Sequence, residues 1–497
     1  MRSLLYPQGV QIRQGTVLNA AELTADLNLD YILDACAQGD PFIRRSVRDQ
    51  LLCRDLPTPE TILHRQAVLQ DMLAHPQPVS ALYKLVSNAM LDYEEAHIRI
   101  TPAHLRNAPV ALKMRNTLAI YQALLDCAGA LAQRLRAPDA AFASPQARDC
   151  FGDFLDFYDP AFLEEAAARL KQIGQMSANQ RFTMSARMGG GLKGSDFLLR
   201  PQAQEETDRK TLRALKKNRI NLYDIAVQAQ AGDMRGSAVL KLLRLVNDYL
   251  NTTLRHLQAL RTELAFYLGG VHLHAALRET GAPVCFPEPV PCGQAALRFR
   301  GLTDLSLALQ NHACPVGNQL DFGSRRTAVV TGANQGGKST FLRSLGIAQL
   351  MLQCGLFVSA GEFTAELRSG VFTHFCRPDS GGQRGKLDGE LRQMRRLVEL
   401  MDRQALVLMN ESFSSTSEGD AVGMVTELLG SFAASGVRSV YVTHFYSIYP
   451  RISALGPEDT LFLSAQRNPD GSRPYTIAAG APGERSFGMD IFREIFG

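Results

Sequence analysis

A chain of 497 residues has room for roughly three domains, and with 45% hydrophobic and 21% charged residues it is globular, which excludes the disordered class. The formal net charge of +4 is small for this length, so it permits a polyanionic partner without arguing for one. Nine cysteines include no Cys-x-x-Cys pair, an unpatterned set that suits reduced thiols better than a disulfide framework or a zinc site. The N-terminus, MRSLLYPQGVQIRQG, lacks the apolar core of a signal peptide, and no apolar run is long enough to cross a bilayer. The expectation is a soluble cytoplasmic protein with no membrane partner.

Residues 1–295 read as a helical region. Ala20–Cys36, Pro41–Cys53, Pro59–Leu73, Ser80–Ile98 and Val110–Leu135 carry apolar residues at helical spacing, with breaks at Gly39-Asp40-Pro41 and Pro57-Thr58-Pro59. Asp159-Pro160 opens a further helix through Ile173. These faces suit core packing rather than a ligand site.

The stretch Ser185–Arg200 breaks that pattern. Gly189, Gly190, Gly191 and Gly194 predict a tight hairpin or long loop, and no Gly-Lys-Ser/Thr follows to make it a phosphate loop. Just beyond, Arg209, Lys210, Arg213, Lys216, Lys217 and Arg219 place six cations within eleven residues. Such a cluster suits either a nucleic-acid backbone or a solvated helix face, and Glu205, Glu206 and Asp208 weaken its field. Together, 185–220 reads as a clamp-like insertion.

From Ser237 to Leu268, Leu243, Leu250, Leu257 and Leu264 recur every seven residues, flanked by Val246, Leu254, Leu260 and Leu268. This predicts one long helix with an apolar seam, suited to an antiparallel lever or to a self-associating coil, and interrupted at Gly269-Gly270. Pro283, Pro287, Pro289 and Pro291 then mark an extended boundary.

Residues 296–497 alternate short β-rich runs with helices. Strands are predicted at Thr327–Thr331, Val371–Cys376, Ala405–Met409, Val437–Val442, Thr460–Ser464 and Tyr475–Ala478. Helices are predicted at Ser339–Cys354, Asp388–Met401 and Asp420–Ser435. Alternation of this kind argues a wound α/β domain around a mainly parallel sheet.

The chemistry concentrates at Thr327–Phe341, TAVVTGANQGGKSTF, which holds Gly332-x-x-x-x-Gly337-Lys338-Ser339 between a β-branched strand and an apolar-periodic helix. Glycines such as Gly332, Gly336 and Gly337 let backbone N–H groups turn toward phosphates, and the helix N-terminus at Lys338, Ser339 and Thr340 adds positive potential. Lys338 is expected to reach the β/γ-phosphates of ATP and the Ser339 hydroxyl to ligate Mg²⁺.

A fully apolar strand, Ala405–Met409, ends in Asn410-Glu411, with Asn410 72 positions after Lys338. In phosphate-loop ATPases a carboxylate at that strand tip orients the hydrated Mg²⁺, and a second one polarises the attacking water. Here the first is an amide, which accepts a hydrogen bond from a metal-bound water but brings no charge. Slow turnover is therefore expected, with Glu411 as the base and Asn410 on the metal side. Ser412–Asp420 reads as a polar partner-facing loop. The next strand ends in Thr443-His444, placing His444 to sense the γ-phosphate.

These stretches together, with LVLMNESFSSTSEGD, VTHFYSI and YTIAAGAPGERSFGMDI (Gly480, Ser486, Gly488), closely resemble the ATPase domain of the MutS family over about 300–497. Weaker likenesses cover Pro41–Leu73 and Ser237–Glu288. The resemblance implies that Asn334 helps hold the nucleotide phosphates, that Glu411 is the catalytic glutamate, and that His444 is the histidine after the next strand. It further implies a homodimer with composite ATP sites, each closed by the other subunit's loop, here roughly Asp379–Lys386. Its Ser380-Gly-Gly-Gln383 resembles the ABC signature, making Ser380 the expected trans contact.

Four departures from the family pattern shape the expectations. Asn410 replaces the Walker B aspartate; Gly385-Lys386-Leu387 replaces Ser-Thr-Phe; the adenine-stacking aromatic falls near Pro315-Val316; and no mismatch-reading domain with a Phe-x-Glu wedge fits before residue 41. A C-terminal nuclease-like extension is likewise not expected after Gly497. Three readings follow: an ATP-gated homodimeric clamp on duplex or branched DNA, the same device on ribosomes or structured RNA, and a nucleotide switch that barely hydrolyses. Mismatch repair in the usual sense ranks below them.

Overall fold

The computed structural model describes residues 1–10, 15–100, 110–178, 182–188, 194–201, 223–332, 335–376, 385–453, 459–468, 472–480 and 496. Helices begin where the sequence supplies their caps. The segment expected as one helix over 20–36 is two, α1 (Ala20–Asp26) and α2 (Leu29–Ala37), because Asn28 takes left-handed backbone at φ 52°. The Ser306 hydroxyl donates to the carbonyls of Leu27 and Asn28 at 3.2 and 3.1 Å, satisfying acceptors freed by the break. At α3 (Pro41–Leu51), Asp40 accepts from the Phe42 and Ile43 amides; at α4 (Pro59–Ala74), Thr58 accepts from the Thr61 amide. Each has proline at its first position, where the missing N–H costs nothing. There follow α5 (Pro76–Ile100), α6 (Val110–Leu135), α7 (Pro145–Phe157) and α8 (Pro160–Ala178). The strands β1 (Phe182–Met188) and β2 (Gly194–Pro201) come next, then α9 (Tyr223–Glu279).

The chain forms two compact units, and they cross the sequence division at 295/296. One comprises Met1, 80–141 and 151–261; the other 2–79, 142–150 and 262–497. In the first unit, Leu124, Leu131, Phe154, Leu250, Leu254 and Leu257 are buried. The apolar seam of α9 is thus core of this chain itself, which uses up the surface a self-associating coil would need. The strands β1 and β2 pair as an antiparallel hairpin, Phe182 opposite Pro201 and Met188 opposite Gly194, as the glycine-rich pattern predicts. Gly189–Gly191 and the basic cluster at 209–219 lie outside the described residues.

In the second unit, α9 continues through Gly269-Gly270 rather than stopping there. The reason is close approach. A Cβ on Gly269 would stand 2.5 Å from Val47 Cγ2, and one on Gly270 would stand 2.9 Å from Leu69 Cδ1. The two glycines let α9 lie against α3 and α4, so packing overrides their low helix propensity.

Two sheets complete this unit. β3 (Glu288–Val290), β4 (Leu297–Leu302), β5 (Asn318–Asp321) and β7 (Glu362–Glu366) form a four-stranded mixed sheet in the order β3-β7-β4-β5, absent from the sequence expectation. The six-stranded sheet runs β12-β11-β6-β10-β9-β8. Its members are β6 (Thr327–Thr331), β8 (Val371–Phe375), β9 (Leu406–Asn410), β10 (Arg438–Val442), β11 (Thr460–Ala465) and β12 (Ile477–Ala479). All its pairings are parallel except β11–β12. Helices α10 (Leu305–Asn311), α11 (Lys338–Cys354), α12 (Lys386–Leu400), α13 (Glu418–Ser435) and α14 (Ile448–Ser453) intervene. A helical N-terminal region followed by a C-terminal α/β domain with mixed sheets is the result. The Phe299 ring stacks on Phe363 and lies 6.2 Å from Phe341 of α11, which joins the two sheets.

Candidate nucleotide site

The strand order decides what meets at the sheet's C-terminal edge. Because β10 lies between β6 and β9, Val442 pairs with both Val330 and Asn410. The turns after these three strands therefore stand side by side, where open α/β sheets bind ligands. Gly332, Glu411 and His444 are the first or second residues beyond those tips.

The loop after β6 turns into α11 through Gly337, whose left-handed φ of 87° is what a non-glycine residue resists at this N-cap. The Lys338 Nζ folds back to donate to the Gly332 carbonyl at 2.8 Å. Burial pushes this ammonium's pKa down, and the Glu411 carboxylate opposes that shift while the Arg473 guanidinium adds to it. The Ser339 hydroxyl donates to Asn410 Oδ1 at 3.0 Å, which joins the helix start to the tip of β9. His444 Nδ1 lies 3.6 Å from Glu411 Oε1 and finds no hydrogen-bond partner among the described residues.

Glu411 and Phe413 both hold left-handed backbone, at φ 52° and 63°. For residues with a Cβ this costs on the order of 1–3 kcal/mol each, so the surroundings must hold the turn. The Glu411 amide donates to the Val442 carbonyl at 2.9 Å, and the Ser414 amide to the Glu411 carbonyl at 3.2 Å.

These groups open onto a cavity of about 640 Å³, inside the range of ~300–1,000 Å³ usual for small-molecule sites. Gly336, Gly337, Lys338, Ser339, Thr340 and Glu411 line one side; Pro315 and Val316, the stretch where the sequence lacks an aromatic, line another. Asp304 also reaches it, capping α10 through the Leu307 amide and pairing with Arg343 at 3.3 Å. Burial raises the Asp304 pKa against the opposing pull of that amide and of Arg343.

The structure thus brings together Gly336, Gly337, Lys338, Ser339, Thr340 and Glu411 around one cavity, with Gly332, Asn410 and His444 beside them. Asn334, Ser380, Ser486 and Gly488 lie outside the described residues. Two residues went unread in the sequence. Tyr475, at φ 59°, lines the cavity and closes on Gly337, and Arg473 Nη1 donates to Gln335 Oε1 at 2.9 Å. A tyrosine and an arginine in a short connection carry no pattern that would have flagged them.

A phosphate-bearing ligand fits this surface. It offers a buried ammonium, a helix N-terminus and a second cation at Arg473, set against the carboxylates of Glu411 and of Asp304, the latter paired with Arg343. The oxygens of Ser339 and Asn410, hard donors side by side, fit a magnesium ion that keeps most of its waters. Among the described residues no cluster of three or more His, Cys, Asp or Glu forms a self-sufficient metal site, and all nine cysteines are free. No described helix is long and apolar enough to cross a membrane.

Helices leading into an α/β domain with a site at its strand tips define the class, and comparison with known proteins supplies the family. The MutS2 N-terminal domain matches residues 57–280, and MutS domain V matches residues 328–495. A DNA mismatch repair protein MutS of Thermus thermophilus is 26% identical over 235 residues, 47% of this chain and 28% of that protein. An Endonuclease MutS2 of Streptococcus suis is 31% identical over 205 residues, 39% of this chain and 25% of that protein. The chain belongs to the MutS family. Its matches span about a quarter of the length of these relatives.

Proposed function

We propose that this chain is an ATP-binding, slowly ATP-hydrolysing protein that acts as a nucleotide-gated clamp on DNA. The observation that carries the nucleotide reading is the Ser339–Asn410 hydrogen bond at 3.0 Å, formed where Lys338, Ser339 and Glu411 face one cavity. Lys338 and the amides at the start of α11 bind the phosphates. Ser339 and Asn410 would hold a hydrated Mg²⁺, which would supply neutralisation of phosphate charge. Glu411 orients and deprotonates the attacking water, and His444 beside it contacts the terminal phosphate. Asn410 contributes a carbonyl where a carboxylate would add negative charge, so turnover is slow. Asn334 joins the phosphate contacts, and Ser380 of a second copy closes each site.

The DNA reading is supported by the family and by its similar members, a DNA mismatch repair protein and an endonuclease. The hairpin β1–β2 and the basic cluster beyond it are the proposed contact region, within a helical region over 1–295 that precedes the ATPase domain at 296–497. Gel mobility of duplex and branched DNA at low salt, with and without ATP, tests it. Binding that depends on ATP and weakens steeply with salt is expected. No shift under any of these conditions contradicts the clamp on DNA, and co-sedimentation of the nucleotide-loaded protein with ribosomes instead would redirect it to RNA.

A further inference from the structure

We infer that Ser412 and His374 are positioning residues for Glu411, and that they tie its turn to helix α12. The inference rests on the hydrolysis reading above. Ser412 sits between the two left-handed residues of the turn and is itself fully buried. Both of its polar ends are held by neighbouring strands. Its hydroxyl lies 2.7 Å from His374 Nδ1 on β8, and its carbonyl accepts from the Tyr441 hydroxyl on β10 at 3.4 Å.

The proton positions follow from counting. His374 is fully buried, and burial holds its imidazole in the neutral form, with one N–H. Nε2 faces the Glu390 carbonyl, an acceptor only, at 3.1 Å, so the proton is on Nε2. Nδ1 is then the acceptor, and the Ser412 hydroxyl donates to it rather than to the His374 carbonyl 3.0 Å away. The Phe413 ring lies against the His374 ring with centroids 5.4 Å apart, which fixes the imidazole's plane. A line of hydrogen bonds thus runs from the first turns of α12 through His374 to the residue after Glu411.

Removing the Ser412 hydroxyl frees a turn that two left-handed residues already strain, and the Glu411 carboxylate then leaves its place at the cavity. Ser412 does not line the cavity that Lys338 and Ser339 face, so nucleotide affinity is expected to stay. Steady-state ATPase and ATP affinity measured on wild type, Ser412→Ala, Glu411→Gln and the Glu411→Gln/Ser412→Ala double variant test this. Ser412→Ala is expected to lower kcat about ten-fold, a part of what a general base supplies, with ATP affinity within two-fold. In the Glu411→Gln background it is expected to change kcat by less than two-fold, because its effect passes through Glu411. His374→Asn, whose carboxamide oxygen can take the serine proton, is expected to keep more of kcat than His374→Leu.

Wild-type kcat in Ser412→Ala, or an equal loss in both backgrounds, overturns the inference while leaving the nucleotide reading intact. Hydrolysis in wild type no faster than in Glu411→Gln overturns both. Should Ser412→Ala fail to fold, Tyr441→Phe removes the other anchor without changing shape, and an unaltered kcat there overturns the inference as well.

Discussion

Two charged clusters of the second unit differ in what answers them, and the contrast between them separates architecture from chemistry. At its helical floor, Glu263 is largely buried and fully answered by the N-terminal segment: Ser3 donates to one oxygen and the Leu4 amide to the other at 2.9 Å. Arg65 beside it donates to the Leu5 carbonyl at 3.0 Å and to the Cys354 carbonyl, at the end of α11, at 3.1 Å. Tyr267 and His64 both meet the Leu4 carbonyl. At the other end of α11, Lys338 and Glu411 face a cavity, and the Glu411–His444 pair stands at 3.6 Å, with no hydrogen-bond partner for the imidazole Nδ1 among the described residues. Buried ionic groups that find every partner inside the chain are structural; those aimed at open volume are arranged for a ligand.

The largest test of that contrast falls on the cavity end. Lys338→Ala should weaken ATP binding on the order of 100-fold, the loss of a charge-assisted contact of ~3 kcal/mol, while the thermal midpoint moves little. A titration with a fluorescent ATP analogue beside a thermal melt reads both. Gly269→Ala should do the reverse. Its methyl would enter a 2.5 Å gap to Val47, so it should cost about 2 kcal/mol of stability, overpacking offset by helix propensity, with ATP affinity unchanged.

Acid should sharpen the comparison further. Burial raises the Glu263 carboxyl to about 6 against an ordinary 4.5, so the folded protein binds a proton that the unfolded chain releases. Stability from this group is therefore fully present below 4.5 and is lost as pH rises through 6, about 2 kcal/mol in all. Glu263→Gln should flatten that part of the stability–pH profile, read by denaturant unfolding between about pH 4.5 and 7. Smallest is the effect at the metal side. Asn410→Asp should raise kcat several-fold by restoring a charge worth ~1 kcal/mol.

Much of the α/β domain was legible in its residues. Runs such as Thr327–Thr331 and the first four residues of Leu406–Asn410 are buried throughout, which is why continuous hydrophobicity reads as a central strand there. The four-stranded sheet was not read, though Leu297-Arg298-Phe299-Arg300 alternates as a half-buried strand should; the sheet's edge strands β3 and β5 span only three and four residues. Gly269-Gly270 misled because propensity is local and the helix contacts that need glycine are not. Asn28 broke a predicted helix through one left-handed residue, a conformation the spacing of apolar residues does not report. At the site, Lys338, Ser339, Asn410 and Glu411 were found by motif spacing. His374 and Ser412 carried no such mark, since a single histidine in an apolar strand looks like core until its hydrogen bonds are seen.

The cavity at the strand tips is proposed as an ATPase site whose water-activating group is Glu411. The most direct measurement is single-turnover hydrolysis of bound ATP by wild type and Glu411→Gln, with ATP affinity measured on the same preparations. Equal affinity is expected, with a rate at least ~100-fold lower in Glu411→Gln, the share a general base supplies. Equal rates in the two proteins, with ATP bound by both, would contradict it.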